Sequence, residues 1–140
     1  MDSYWKVVAE GMKRVCSAFT NIAKPSGFKR GIGRKWVRQF DGFEETMFLS
    51  RSGATYGAPA TPSISLQIAL SSTRTSDQQR VDLSHHATQK IRRATGYCYH
   101  HRFNAETSST YDRCLEELGL FLEEVAEPWF EERRGALEGP

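Results

Sequence analysis

Residues 63–70, SISLQIAL, alternate apolar with small or polar side chains without a break. In an extended chain Ile64, Leu66, Ile68 and Leu70 fall on one face, and Ser63, Ser65, Gln67 and Ala69 on the other. Such a strand buries one face and offers the other to solvent or a partner, as in an antiparallel sheet covered on one side. The rest of the chain must supply neighbours for this strand and a layer to cover it.

Neighbours are legible upstream. Lys35–Phe40 and Phe43–Leu49 are strand-like runs joined by Asp41-Gly42. Asp-Gly suits the tight hairpin turn in which both central residues take positive φ. Trp36, Arg38 and Phe40 share a face of the first arm; Phe43, Glu45, Met47 and Leu49 share one in the second, with Phe48 opposite. Downstream, residues 97–103 predict a further strand. Tyr97, Tyr99, His101 and Phe103 would point toward the covering layer, and Cys98, His100 and Arg102 outward. Residues 53–62 and 71–82 read as loops, the first rich in small residues, the second polar. A short helix after Ser84, which would cap it, is one reading of residues 83–94.

The covering layer comes from the two ends. In residues 4–23, Trp5, Val8, Met12, Val15, Phe19 and Ile22 recur at steps of three and four, forming one helical stripe, with Asp2 or Ser3 as a cap. Pro25 and Gly27 end that helix. Tyr111, Leu115, Leu118, Leu122, Val125 and Ala126 mark a second long helix, capped within residues 107–110 and broken or kinked at Pro128, with Trp129 and Phe130 packing back on the core. Helices at both ends of a run of strands predict an α+β fold. It comprises an antiparallel sheet of about four to five strands, the N-terminal and C-terminal helices packed on one face, and a single domain over residues 1–140.

Composition narrows the class. Three cysteines, Cys16, Cys98 and Cys114, are too few and too odd in number for a disulfide framework and point to a reducing compartment. The first helix is interrupted by Lys6, Glu10, Lys13 and Arg14, so no apolar run resembles a signal peptide or a membrane span. A cytoplasmic protein with no membrane association is expected. The net charge of +2 conceals a division: residues 106–140 hold ten acids and three bases, whereas residues 1–105 hold seven acids and sixteen bases.

GFKRGIGRKWVRQ, the alternating strand, and a last helix running into EPWFEER together resemble an uncharacterised bacterial family, domain of unknown function 4304. In that family a leading helix ends before Gly-Phe, a basic-aromatic strand follows, and the last helix ends near a Pro-Trp pair. Here these are Gly27–Phe28, Arg34–Arg38 and Pro128–Trp129. The resemblance implies a fold over most of the chain and supplies no activity, cofactor or site residue.

All four histidines lie within residues 85–101, as the pairs His85–His86 and His100–His101. Adjacent histidines on a strand point to opposite faces, so only His100 shares a side with Cys98. Two ligands fall short of the four a structural zinc site requires. Neither a metal nor a cofactor is expected. No phosphate-binding glycine loop and no nucleophile elbow is present. Three functions remain. The first is a non-catalytic interaction module, with an immunity or regulatory role as one form, binding a partner protein through the open sheet face with Arg34, Arg38, Gln67, Cys98, His100 and Arg102. The second is nucleic-acid binding by Lys29, Arg30, Arg34, Lys35 and Arg38, where bases would contact phosphates and the interleaved Phe28 and Trp36 would stack. The third is a small hydrolase or nuclease using His100, His101 and Arg102.

Overall fold

The computed structural model describes residues 4–52 and 62–138. The capping candidates Asp2 and Ser3, and all of the expected 53–62 loop but Pro62, lie outside the described residues. The order is α1 (Tyr4–Ala23), β1 (Lys29–Arg30), β2 (Lys35–Phe40), β3 (Phe43–Arg51), β4 (Ser63–Arg74), β5 (Gln79–Leu83), α2 (His85–Thr88), β6 (Arg102–Asn104), α3 (Tyr111–Phe121), a π-helical turn (Leu122–Ala126) and α4 (Glu127–Glu138). Six strands form a wholly antiparallel sheet in the order β1-β2-β3-β4-β5, with β6 also paired to β4. The expected α+β architecture is present, with one strand more than the upper expectation.

The alternating strand is the centre of the sheet. Ile64, Leu66, Ile68 and Leu70 are buried under the helices with Val8, Met12, Val15, Phe19, Leu118 and Phe130. The β2–β3 hairpin turns at Asp41 (φ 51°) and Gly42 (φ 81°), as Asp-Gly favours. Trp36 is wholly buried; its indole N–H donates to Thr20 Oγ1 on α1 at 3.0 Å, and its ring meets Phe19 edge-on.

Several expectations are corrected. Residues 71–82 are not a loop. β4 runs on to Arg74 and turns at 75–78 into β5. Ser71 and Ser72 are buried there, because a central strand is flanked on both edges whatever its composition. Trp5 does not belong to the core stripe and is 68% exposed. Pro128 does not break the last helix. The preceding turn widens so that Glu127 N–H donates to Leu122 O, five residues back, and the helix continues. Thr110 starts α3 from a left-handed conformation without a side-chain cap, its hydroxyl donating instead to Arg102 O at 3.0 Å. Of the strand expected at 97–103, only Arg102 and Phe103 pair with β4, in a strand that runs on to Asn104. The reading of Ser84 agrees with the structure: its hydroxyl accepts the Ala87 N–H at the start of α2.

Candidate functional site

The central strand lacks a strand neighbour over part of one edge. β5 pairs with β4 from Leu70 to Arg74, and β6 pairs with it only from Ser63 to Ser65. Residues 66–69 face that edge with no strand alongside. The intervening chain crosses the gap at a distance and ties to it at two points. Leu66 N–H donates to His101 O at 2.8 Å, and the buried Thr88 hydroxyl donates to Ile68 O. Residues 92–98 form a small hairpin bridged at Arg92 and Cys98 and turned by Gly96 at φ 89°. A cleft of about 650 Å³ remains between this hairpin, β4 and α3.

The cleft gathers side chains that are distant in sequence. Gln67 comes from β4, Gln89 from the end of α2, Cys98, His100 and Arg102 from the crossing chain, and Arg113 from α3. Arg102 pairs opposite Ser65 at the β4 edge and is exposed; no acidic partner for it is found among the described residues. His100 and Arg102 also line a second depression of about 260 Å³, toward Asn104 and Thr110. They therefore form the wall between the two.

Glu117, 4% exposed, organises the floor. Its carboxylate accepts the His100 backbone N–H at 2.7 Å and the Arg113 Nε–H at 3.1 Å, with Arg93 Nη1 at 3.6 Å. Burial pushes that carboxyl up, but the His100 N–H and the two guanidiniums outweigh it and hold the carboxyl below its ordinary value. His101 Nε2 lies 3.2 Å from Glu117 O, and its ring packs on Phe121 and stacks with Tyr99. The Tyr99 hydroxyl, pushed up to about 12 by burial and by Glu124, donates to Glu124 on the π-helical turn at 2.8 Å. Both histidines are held below their ordinary value. Burial is the main cause in each, joined at His100 by the positive charge of Arg113 and Arg102. His100 Nε2 is buried and makes no hydrogen bond. The cleft thus presents neutral imidazoles and positive guanidiniums, with one buried carboxylate already engaged.

Of the residues expected to bind a partner, Gln67, Cys98, His100 and Arg102 come together here. Arg34 is exposed elsewhere, beyond the turn that follows β1. Arg38 does not reach the open face at all. It shares the helix-facing side with Trp36, 6% exposed, because all five of its N–H donors are used internally: by Glu45, Glu127 and Ser26 O. This removes Arg38 from both the partner-binding and the nucleic-acid-binding sets. Phe28 and Trp36 are likewise buried, so neither stacks on bases. Lys29, Arg30 and Arg34 are exposed and Lys35 is half-buried. Sequence reasoning missed Arg113 and Glu117. Their one signal was the four-residue spacing of opposite charges on a helix, with Glu117 beside the apolar Leu118. Among the described residues no three His, Cys, Asp or Glu side chains converge as a metal site would need, and no helix is long and apolar enough to cross a membrane. No family model, curated protein or solved structure matches the chain.

Proposed function

We propose that the protein is a non-catalytic interaction module, immunity or regulatory in type, that captures an extended acidic segment of a partner protein in this cleft. The observation that carries the reading is the stretch of β4 at residues 66–69 with no strand alongside, whose Leu66, Gln67 and Ile68 line the same cleft as Arg102 and Arg113. Leu66 N–H and Ile68 O are already bonded to His101 and Thr88, so an extended peptide would use the main-chain groups that remain along this stretch, and the side chains around it would set specificity. The guanidiniums select acidic partners, and Tyr97, 75% exposed at the rim, is of a residue type enriched where binding energy concentrates. A hydrolase or nuclease would draw on the same His100, His101 and Arg102. His101, however, is committed to Glu117 O, so the two imidazoles are not both free to share acid and base roles.

The test is fluorescence polarisation with a labelled decapeptide of alternating glutamate and valine, against its lysine-valine counterpart. The acidic peptide binds and the basic one does not. Arg102→Glu weakens binding by about tenfold or more, the scale of one close charge contact. Absence of binding at low salt, or equal binding by Arg102→Glu, overturns the reading.

A further inference from the structure

We propose that the ribbon of β1 and β2 is a docking surface for double-stranded nucleic acid, independent of the cleft. β1 ends the sheet, on the opposite side of β4 from the cleft. Between β1 and β2 the turn carries Ile32 at its tip, 94% exposed. Lys29 and Arg30 flank it on one arm, Arg34 and Lys35 on the other. No acid occurs from residue 24 to 40, and none pairs with these four bases among the described residues.

The turn is built, not loose. Gly31 N–H donates to Lys35 O at 2.8 Å, Arg30 Nε–H donates to Gly33 O at 3.0 Å, and Gly33 takes φ 83°. The Arg34 carbonyl continues the ladder by accepting Leu49 N–H at 3.0 Å. Lys29 and Arg30 pair opposite Val37 and Trp36, so successive bases project from opposite faces of the ribbon. Cations on both arms and both faces, with one aliphatic side chain projecting between them, match the backbones that border a groove and a nonpolar contact within it. A two-stranded ribbon fits the major groove, where an aliphatic side chain can meet a thymine methyl.

Charges placed only to protect a sheet edge would not leave a bare isoleucine at the tip. Single strands call for a platform of successive aromatic rings. Phe28 and Trp36 are buried, Phe40 lies at the far end of β2 with Arg134 over its ring, and Phe48 stands alone across from Lys35, so no run of successive rings borders the turn. The positive charge therefore favours a duplex.

Fluorescence anisotropy with a labelled 20-base-pair duplex, over about 20–200 mM salt, tests this. Four phosphate contacts give a slope of about −3 to −4 in log K against log salt. Lys29→Glu with Arg34→Glu reduces affinity more than tenfold and flattens the slope by about 2, each charge contributing roughly 0.9. Ile32→Ser weakens binding and leaves the slope unchanged, since it removes no charge. These three positions are exposed, and an unchanged thermal melt separates lost binding from lost folding. The proposal is overturned by absence of duplex binding at 20 mM salt, or by charge reversal without effect on affinity. It is equally overturned if a 20-nucleotide single strand binds as tightly as the duplex, or if anionic lipid vesicles bind and the duplex does not. Any of these results leaves the cleft reading to stand or fall on its own peptide assay.

Discussion

At Arg38 a single guanidinium joins three parts of the chain: β3 through Glu45, the segment before β1 through Ser26 O, and α4 through Glu127. Arg134 completes the cluster by donating to the second oxygen of Glu45 at 2.8 Å, and Glu45 is 0% exposed. Because the carboxylate is fully desolvated, deleting its principal partner leaves a buried charge that Arg134 alone must hold. Arg38→Ala should therefore destabilise the fold by about 3–5 kcal/mol, read from urea unfolding. Arg38→Lys should cost less, because it keeps the charge but not the fork that reaches three acceptors at once. The histidines act in the opposite sense. Burial lowers His100 and His101 below the ordinary 6.5, so the folded state holds their protons less tightly than the unfolded chain does. Their contribution to stability is complete above about pH 6.5 and is lost as the pH falls through their folded values. Glu117, also held below its ordinary 4.5, gives up its share only at lower pH. The melting temperature should fall between about pH 7 and pH 5, and fall less in His101→Gln, which removes the titration and keeps a donor for Glu117 O.

α1 passes close to β4 and to the residue after β6 at Gly11. A Cβ on Gly11 would lie 2.7 Å from both Ala105 Cβ and Ile64 Cδ1. The Ala105 side chain has no rotamer with which to move aside. Gly11→Ala gains helix propensity worth about 1 kcal/mol and forces an overpacked contact costing about 1–3 kcal/mol. A net loss of about 1 kcal/mol in chemical denaturation is expected, whereas the same change at an uncrowded helical position would stabilise. At this scale the sequence was informative wherever local chemistry decided the outcome. Asp41-Gly42 specified its own turn, the α1 stripe its own helix, and SISLQIAL its buried face. It misled where packing decided. Tyr97, Tyr99, His101 and Phe103 alternate as a strand would, but Tyr99 and His101 lie against Phe121 of α3, and only Phe103 lies within a β6–β4 ladder. The serines of 71–72 read as loop because their burial comes from neighbouring strands and not from their own hydrophobicity. Arg38 read as a surface base because its two acids lie 7 and 89 residues away. The cleft was half legible for the same reason. Gln67, His100 and Arg102 stood out by type, while Arg113 and Glu117 joined them only through the return of α3.

Across the whole molecule, two positively charged places lie on opposite sides of β4 in the sheet order, separated by β3 and β4. One is a cleft lined by Arg102 and Arg113; the other is a projecting ribbon of Lys29, Arg30, Arg34 and Lys35. The acids of the C-terminal region do not neutralise both equally. Glu117 is spent on Arg113 and Arg93, and Glu127 on Arg38, so neither answers the ribbon. Sites that share no partner behave additively. Charge reversal at Lys29 and Arg34 should therefore leave peptide affinity in the cleft within about twofold, and Arg102→Glu should leave duplex affinity equally unchanged, a difference inside the roughly 0.3–0.5 kcal/mol tolerance of independent sites. Measuring both affinities on both variants at one salt concentration distinguishes two surfaces from one diffuse positive field. A diffuse field would make either reversal weaken both ligands together, because long-range attraction depends on total charge and not on where it sits. Repeating the four measurements at about 0.15 M salt sharpens the contrast, since the Debye length is then about 8 Å and only groups in local contact with each ligand still count.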